Sequence, residues 1–308
     1  MYEEAAAPPA LQDVAKCVWR SASEGPKRIV PDGCVDLVVG DGAAFVAGPD
    51  TTAWSSVTGP HAVLNGVRFR PGRAAAVLGV AADELRDRRV PVGELWGRSW
   101  AERLVEGEVS PVEAVAGRLG EVPPEDAAVA ELIARLEAGV ARVGEAAAGL
   151  VGSGEAGRAA RASPASNSTQ RVPEPARSPR SPSPAGKRHR PPSATPSVGA
   201  GVGGAEVVVA RVEDPALSAA VSARWLRRRF VQAVGYGPAT YLRVSRFQRA
   251  VALAPHVSGL AALAAAAGYA DQAHLSRDCR ALTGLTPRAC FRGPSTVDTT
   301  ARDRLRSA

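Results

Sequence analysis

Between residues 153 and 204 the chain reads as a segment that cannot build a core. Nine prolines lie between Pro164 and Pro196, among many serines and no aromatic residue. Such a stretch buries too little apolar surface to offset the entropy of ordering it. Whatever folds must therefore fold on either side, which suits a 308-residue chain at about 100–200 residues per domain. The expected divisions are a β-rich regulatory domain over 10–143, a disordered tether over 144–205, an all-helical domain over 206–292 and a disordered tail over 293–308. The fold class is thus α+β. A flexible tether imposes no rigid interface between the domains. No run of about 18 apolar residues marks a membrane span, and the acidic start MYEEAAAPPALQ is no leader. No membrane partner is expected, and the cytoplasm is the expected compartment.

The formal charge of +7 is unevenly placed. Residues 1–143 carry 15 basic and 21 acidic side chains, whereas 222–292 carry 11 arginines against two aspartates. A compact arginine-rich segment beside an acidic one is a footprint of nucleic-acid binding. Opposite charges also favour an intramolecular contact that salt weakens. The basic run Lys187-Arg188-His189-Arg190 reads as a solvated charge cluster. The cysteines Cys17, Cys34, Cys279 and Cys290 show no C-x-x-C spacing and no paired histidines. No metal site and no cofactor is therefore expected, and the cysteines read as free thiols.

The first segment alternates strands and turns. Arg28-Ile29-Val30 leads to the turn Pro31-Asp32-Gly33; Cys34 to Val39 is a strand; Gly40-Asp41-Gly42 turns into Ala43 to Ala47. Val67-Arg68-Phe69-Arg70 alternates as a half-buried strand does. Ala74 to Leu78 and Asp83 to Arg88 read as short helices. Asp32, Asp36, Arg68 and Arg70 are candidates for a polar ligand site, or equally turn and strand positions in solvent. Trp19, Trp54, Trp96 and Trp100 read as core anchors. Ser110-Pro111 opens a helical stretch, within which Val129, Leu132, Ile133, Leu136 and Val140 form one stripe. That stripe either covers the first domain, the commoner use of such a face, or pairs two chains.

The second segment reads as two copies of helix, turn and helix. In the second copy Leu260 to Ala267 is a short helix, Gly268 the tight turn and Asp271 the N-cap of helix 272–282. Leu275, Cys279 and Leu282 point inward. Gln272, Ala273, His274, Ser276 and Arg277 are left outward near the helix start, where a reading helix meets base edges in the major groove. Arginine pairs with guanine and glutamine with adenine there. In the first copy Ser222 is the N-cap of helix 223–234. Leu226, Phe230 and Val234 face inward, and Arg224, Trp225, Arg227 and Arg228 face out or sideways. Pro238 opens a long connecting helix with Arg243, Arg246 and Arg249 along its exposed side. These three are expected on phosphates, which position without reading sequence.

These residues resemble the tandem helix-turn-helix domain of the AraC/XylS transcription regulators. The resemblance rests on Gly268-Tyr269-Ala270-Asp271-Gln272-Ala273-His274-Leu275-Ser276-Arg277, on Leu282-Thr283-Gly284-Leu285-Thr286-Pro287-Arg288, and on Arg227-Arg228-Arg229-Phe230 before Val234-Gly235-Tyr236-Gly237-Pro238. The first segment is similar to the sensor-like domain preceding this module in actinobacterial regulators. That likeness rests on Pro31 to Leu37, Ala47-Gly48-Pro49-Asp50, Val67 to Gly72 and Glu94-Leu95-Trp96-Gly97. One departure is local: Asp214-Pro215 and Ser222 are too close to hold the family's first supporting helix at full length.

The resemblance implies a sequence-specific regulator that binds double-stranded DNA, with Arg288 also near it, and no catalytic residues. A small-molecule effector, a second copy of the chain and, for an activator, RNA polymerase are the further partners to expect. Residues 206–308 contain both readers, so they are expected to bind DNA alone. The competing reading is a ligand-binding or enzymatic first domain with an accessory, weakly specific DNA module. Against an enzyme, the sequence offers no Gly-rich phosphate loop, nucleophile elbow or metal-ligand cluster.

Overall fold

The computed structural model describes residues 1–22, 25–150, 215–292 and 297–298. Of 215–222, 292 and 297–298 it describes the backbone alone. The expected tether from 151 onward lies outside the described residues.

The first half is built on an antiparallel sheet of six strands in the order β1-β2-β7-β4-β5-β8. These are β1 (Tyr2–Ala6), β2 (Ala15–Ala22), β4 (Asp36–Gly40), β5 (Ala43–Ala47), β7 (Val63–Phe69) and β8 (Arg89–Pro91). Beside it β3 (Gly25–Ile29) pairs with β6 (Trp54–Thr58) on one edge and with β9 (Val297–Asp298) on the other. Period-two alternation decides what each face does. Leu37, Val39, Ala44, Val46, Val67 and Phe69 pack under the helices α1 (Ala74–Leu78), α2 (Val92–Trp96), α3 (Arg98–Val105) and α4 (Pro111–Ala116). Asp36, Val38, Phe45, Leu64 and Arg68, the alternate positions, face the antiparallel strand pair β3–β6 instead. The expected turn at Asp41-Gly42 joins β4 to β5 with positive φ at both residues (52° and 72°), as a two-residue hairpin demands. Ser110 and Glu113 close a reciprocal cap on α4.

Several expectations are corrected here. The first domain begins at Tyr2 rather than 10, because β1 pairs with β2 along its whole length. Asp83 to Arg88 is a single 3-10 turn, Ala82–Glu84. The boundary at 143/144 falls inside helix α6 (Val143–Ala147), where Ala146 and Leu150 are buried. In the tail, Val297–Asp298 is paired strand.

The amphipathic stripe has a different partner from either one expected. It lies on α5 (Ala127–Glu137), capped by Asp126, whose carboxylate accepts from the Val129 N–H. Val129, Leu132, Ile133 and Leu136 share one core with residues of α7 (Pro215–Val234), α8 (Pro238–Leu253) and α10 (Gln272–Thr283). Leu226, Phe230, Tyr241, Phe247 and Leu282 stand opposite them there. The two halves therefore share a core. A second cluster, around Leu263, Tyr269 and Leu275, joins α9 (Leu260–Ala266) to α8 and α10. The chain ends its helical part with α11 (Pro287–Arg292).

The first copy of helix, turn and helix is also corrected. α7 is one helix of 20 residues that runs through Ser222, so Ser222 is no cap. Residues 216–223 are ALSAAVSA, with neither glycine nor proline to make a turn, and alanine and leucine favour continuing the helix.

Gly235, just after α7, sits where the halves come closest. Its φ is +99°, and a Cβ there would run into the Pro49 ring and lie 2.9 Å from the Ala82 carbonyl oxygen. Gly235→Ala should cost more stability than Gly42→Ala, which adds the same backbone strain of about 1–3 kcal/mol in open space. Denaturant unfolding of both variants checks this; equal losses would show that the contact does not constrain the fold.

Candidate nucleic-acid interface and ligand cleft

The second reader takes the expected form. Gly268 turns with φ +83°. The Asp271 carboxylate accepts from the His274 N–H at 2.6 Å and starts α10. Leu275, Cys279 and Leu282 are buried. Gln272, Ala273 and Arg277 are exposed, and His274 and Ser276 are half-buried. The Ser276 hydroxyl donates back to the Gln272 carbonyl at 2.8 Å. His274 packs its ring edge-on to Tyr269, at 5.0 Å, and sets Nε2 3.8 Å from the carboxylate of Asp278. That half-buried histidine is turned partly into its own helix. Arg280, not singled out in the sequence, is exposed on the same helix. It sits three residues beyond Arg277, which is the signal that could have found it.

Along the second half of α7, Arg224, Arg227 and Arg228 are exposed. Trp225 is not at the surface with them: it packs against the shared core, with the Arg229 guanidinium 6.0 Å from its ring. Arg229 also pairs with Asp126 at 3.0 Å, a bridge between the halves. Arg288 on α11 is exposed.

The arginines of α8 are placed differently from the expected exposed row. Arg246 donates to the carbonyls of Val140 and Ala141. Arg249 donates to Glu137 at 2.8 Å and Ala267 at 3.2 Å, both near helix C-termini, where unpaired carbonyls and the dipole favour a cation. Arg243 is half-buried, and its Nε has no hydrogen-bond partner. In this arrangement Arg249 holds the end of α5 and Arg246 the segment that follows it. The acidic half thus meets α8 and the end of α10, and it leaves the outward residues of α10 open.

Of the four ligand candidates, three converge and one does not. Asp32, Asp36 and Arg68 line a cleft of about 100 Å³ between the main sheet and the β3–β6 strand pair. Arg70 lies outside that lining and donates to the Gln12 carbonyl at 2.7 Å. Arg68 Nε stands 3.1 Å from Asp36 and 3.3 Å from Asp32, and Nη1 3.0 Å from Glu4. The Trp19 indole N–H donates to Asp36 at 2.7 Å. Trp19 and Trp54 line this cleft instead of anchoring a core, whereas Trp96 is buried under the helices as expected. The alternation along β2 and β6 that turns both rings inward becomes legible only once the strand register is known. Asp50, also in the lining, grips Arg89 with both oxygens at 2.8 and 2.9 Å. Burial still pushes its carboxyl up to about 6, against the pull of Arg89. Cys34 is buried, and burial with the nearby Asp32 carboxylate pushes its thiol up to about 12, so it is no reactive nucleophile. Among the described residues no group of His, Cys, Asp and Glu could hold a metal ion, and no helix is long and apolar enough to cross a membrane.

An exposed, capped helix packed on a buried face thus stands beside a sheet domain with its own cleft. The family comparison agrees. Residues 216–293 match the family described as helix-turn-helix domain, and residues 3–91 match a domain of unknown function (DUF6597). The C-terminal match is an AraC-type helix-turn-helix domain, and its pairing with the N-terminal domain is consistent with an AraC/XylS-type regulator. Neither the curated proteins nor the solved structures offer a match.

The raised pKa of Asp50 makes a pH prediction. The folded chain holds its proton more tightly than the unfolded chain, so this group favours folding below about pH 4 and loses that contribution as pH rises through about 6. The stability of the wild type relative to Asp50→Asn should therefore rise as pH falls from 7 to 4. Urea midpoints across that range check it; a flat difference would contradict the burial argument.

Proposed function

We propose that the chain is a sequence-specific transcription regulator that reads the major groove with α10 and senses a small molecule in the cleft of its first domain. It acts on double-stranded DNA in the cytoplasm, at the nucleoid. The observation that carries this reading is the exposure of Gln272, Ala273 and Arg277 on the first two turns of a capped helix whose other face is fully buried. Ala273 lets the backbone approach the groove, while Gln272 and Arg277 have the donors and acceptors that distinguish bases. The single-helix form of α7 supports one reader rather than two. Its exposed Arg224, Arg227 and Arg228 then serve as phosphate anchors. The alternative of an enzymatic first domain has no support from the cleft, whose carboxylates are each engaged by a cation or a hydrogen bond.

Two outcomes test the assignment on an operator selected by the full chain from random DNA. Arg277→Ala should weaken specific binding by about 1–3 kcal/mol and relax preference at one base pair. A loss equal for all sequences would reduce Arg277 to a backbone contact. Arg228→Ala should weaken binding to all sequences alike and flatten the slope of log affinity against log salt by about 0.9. An unchanged slope would remove α7 from the interface.

A further inference from the structure

The strand pair that roofs the cleft also holds the end of the reading helix. Lys27 and Ile29 of β3 face into the cleft with Trp54 and Ser56 of β6. Arg28, between them, points the other way and donates to the Thr283 carbonyl in the last turn of α10. Ala53, just before β6, donates its N–H to the Leu282 carbonyl at 2.6 Å. The last carbonyls of a helix have no partner within it, so the strand pair supplies what α10 lacks there, and Arg28 adds a cation at the negative end of the dipole. The neighbouring backbone is tied as well: Gln248 of α8 donates to the Pro31 carbonyl at 2.6 Å and itself lines the cleft. Among the described residues the strand pair shares no backbone ladder with the main sheet. It is thus bonded to the helices above while only side chains separate it from the sheet below.

The lining also selects a chemical class. Four rings, Tyr2, Trp19, Phe45 and Trp54, contribute to it. Among the described residues that line it, the carboxylates of Asp32, Asp36 and Asp50 outnumber the cations of Arg68 and Lys27. Each cation is already engaged, Arg68 by three carboxylates and Lys27 by the Ser21 hydroxyl at 2.6 Å, as is Arg89, outside the lining, by Asp50. Among the described lining residues an arriving anion finds no unengaged cation, whereas a cation gains the excess carboxylate and the ring faces of Tyr2, Trp19 and Phe45, one face of Trp54 being already covered by the Arg89 guanidinium at 3.9 Å.

We propose that the cleft takes a small organic cation with an aromatic or apolar body, and that the β3–β6 strand pair passes its occupancy to α10 through Arg28 and Ala53. This rests on reading the chain as a DNA-binding regulator with an effector cleft, and it adds the ligand class and the route. A ligand pressing on Lys27, Ile29, Trp54 or Ser56 displaces the strands that carry the two caps, so DNA affinity and ligand affinity are linked reciprocally.

The test uses the full chain with benzylammonium, benzyl alcohol and benzoate, which share a ring and differ in charge. Tryptophan fluorescence should respond saturably to benzylammonium, more weakly to benzyl alcohol and not to benzoate. No response to benzylammonium, or a response to benzoate at the same concentration, overturns the ligand class. This arm needs no DNA, so it stands even if the DNA-binding reading fails. Saturating benzylammonium should then change affinity for the selected operator by about five-fold or more. In Arg28→Ala the fluorescence response should persist while the change in DNA affinity shrinks to under two-fold. Arg28→Met, which keeps the apolar stem, replaces the alanine variant if that one unfolds. Binding without any effect on DNA affinity, or an effect undiminished in both Arg28 variants, overturns the route.

Discussion

The burial of the α5 stripe against α7 and α8 is the contact on which the rest depends. α5 follows the sheet domain in sequence, yet Val129, Leu132, Ile133 and Leu136 are buried with the helices of the DNA-binding half. Each such side chain contributes about 1.5–3 kcal/mol when fully removed from water. Without them the inner faces of Leu226, Phe230 and Phe247 would lose their cover. The same packing sets the C-terminus of α5 where Arg249 reaches the Glu137 carbonyl, and the segment after it where Arg246 reaches Ala141. It also brings Gly235 onto Pro49 and Ala82, and Tyr241 onto Glu137, whose carboxylate accepts from the phenol at 2.6 Å. A regulator built this way has no independent reader to swing on a tether.

That arrangement revises what the charge distribution suggested. The acidic half does meet the basic half, but chiefly through apolar side chains and caps on helix ends rather than as a neutralising cover. The outward residues of α10 stay open. The proposed control of DNA binding accordingly works on the geometry of α10, through its C-terminal cap and its supporting helix. The isolated segment 206–308 lacks α5, so its ability to bind DNA alone, expected from the sequence, has no support in the packing.

Much of the second half was legible because its signals are local. Gly268, Asp271 and the spacing of Leu275, Cys279 and Leu282 each specify a turn, a cap and an inward face within about one helix. The cleft was only partly legible: Asp32, Asp36 and Arg68 lie in or beside recognisable strands, but Trp19, Trp54 and Asp50 join them only through strand pairing between distant segments. Arg70 alternates out of register with Arg68 only after β7 ends at Phe69, where the strand period no longer applies. The partner of the α5 stripe was not legible at all, since amphipathicity states that a face is buried and not against what. Ser222 was misread because a capping residue type is permissive, and the absence of a turn residue before it carried the real information.

The central claim is that the two halves are one cooperative unit. The five tryptophans report on it, with Trp19, Trp54, Trp96 and Trp100 in the first half and Trp225 in the second. In urea unfolding of the full chain labelled with 5-fluorotryptophan, the native fluorine signals of Trp96 and Trp225 should vanish at the same denaturant concentration. Loss of the Trp225 signal while that of Trp96 remains fully native would contradict the shared core and restore two independent domains.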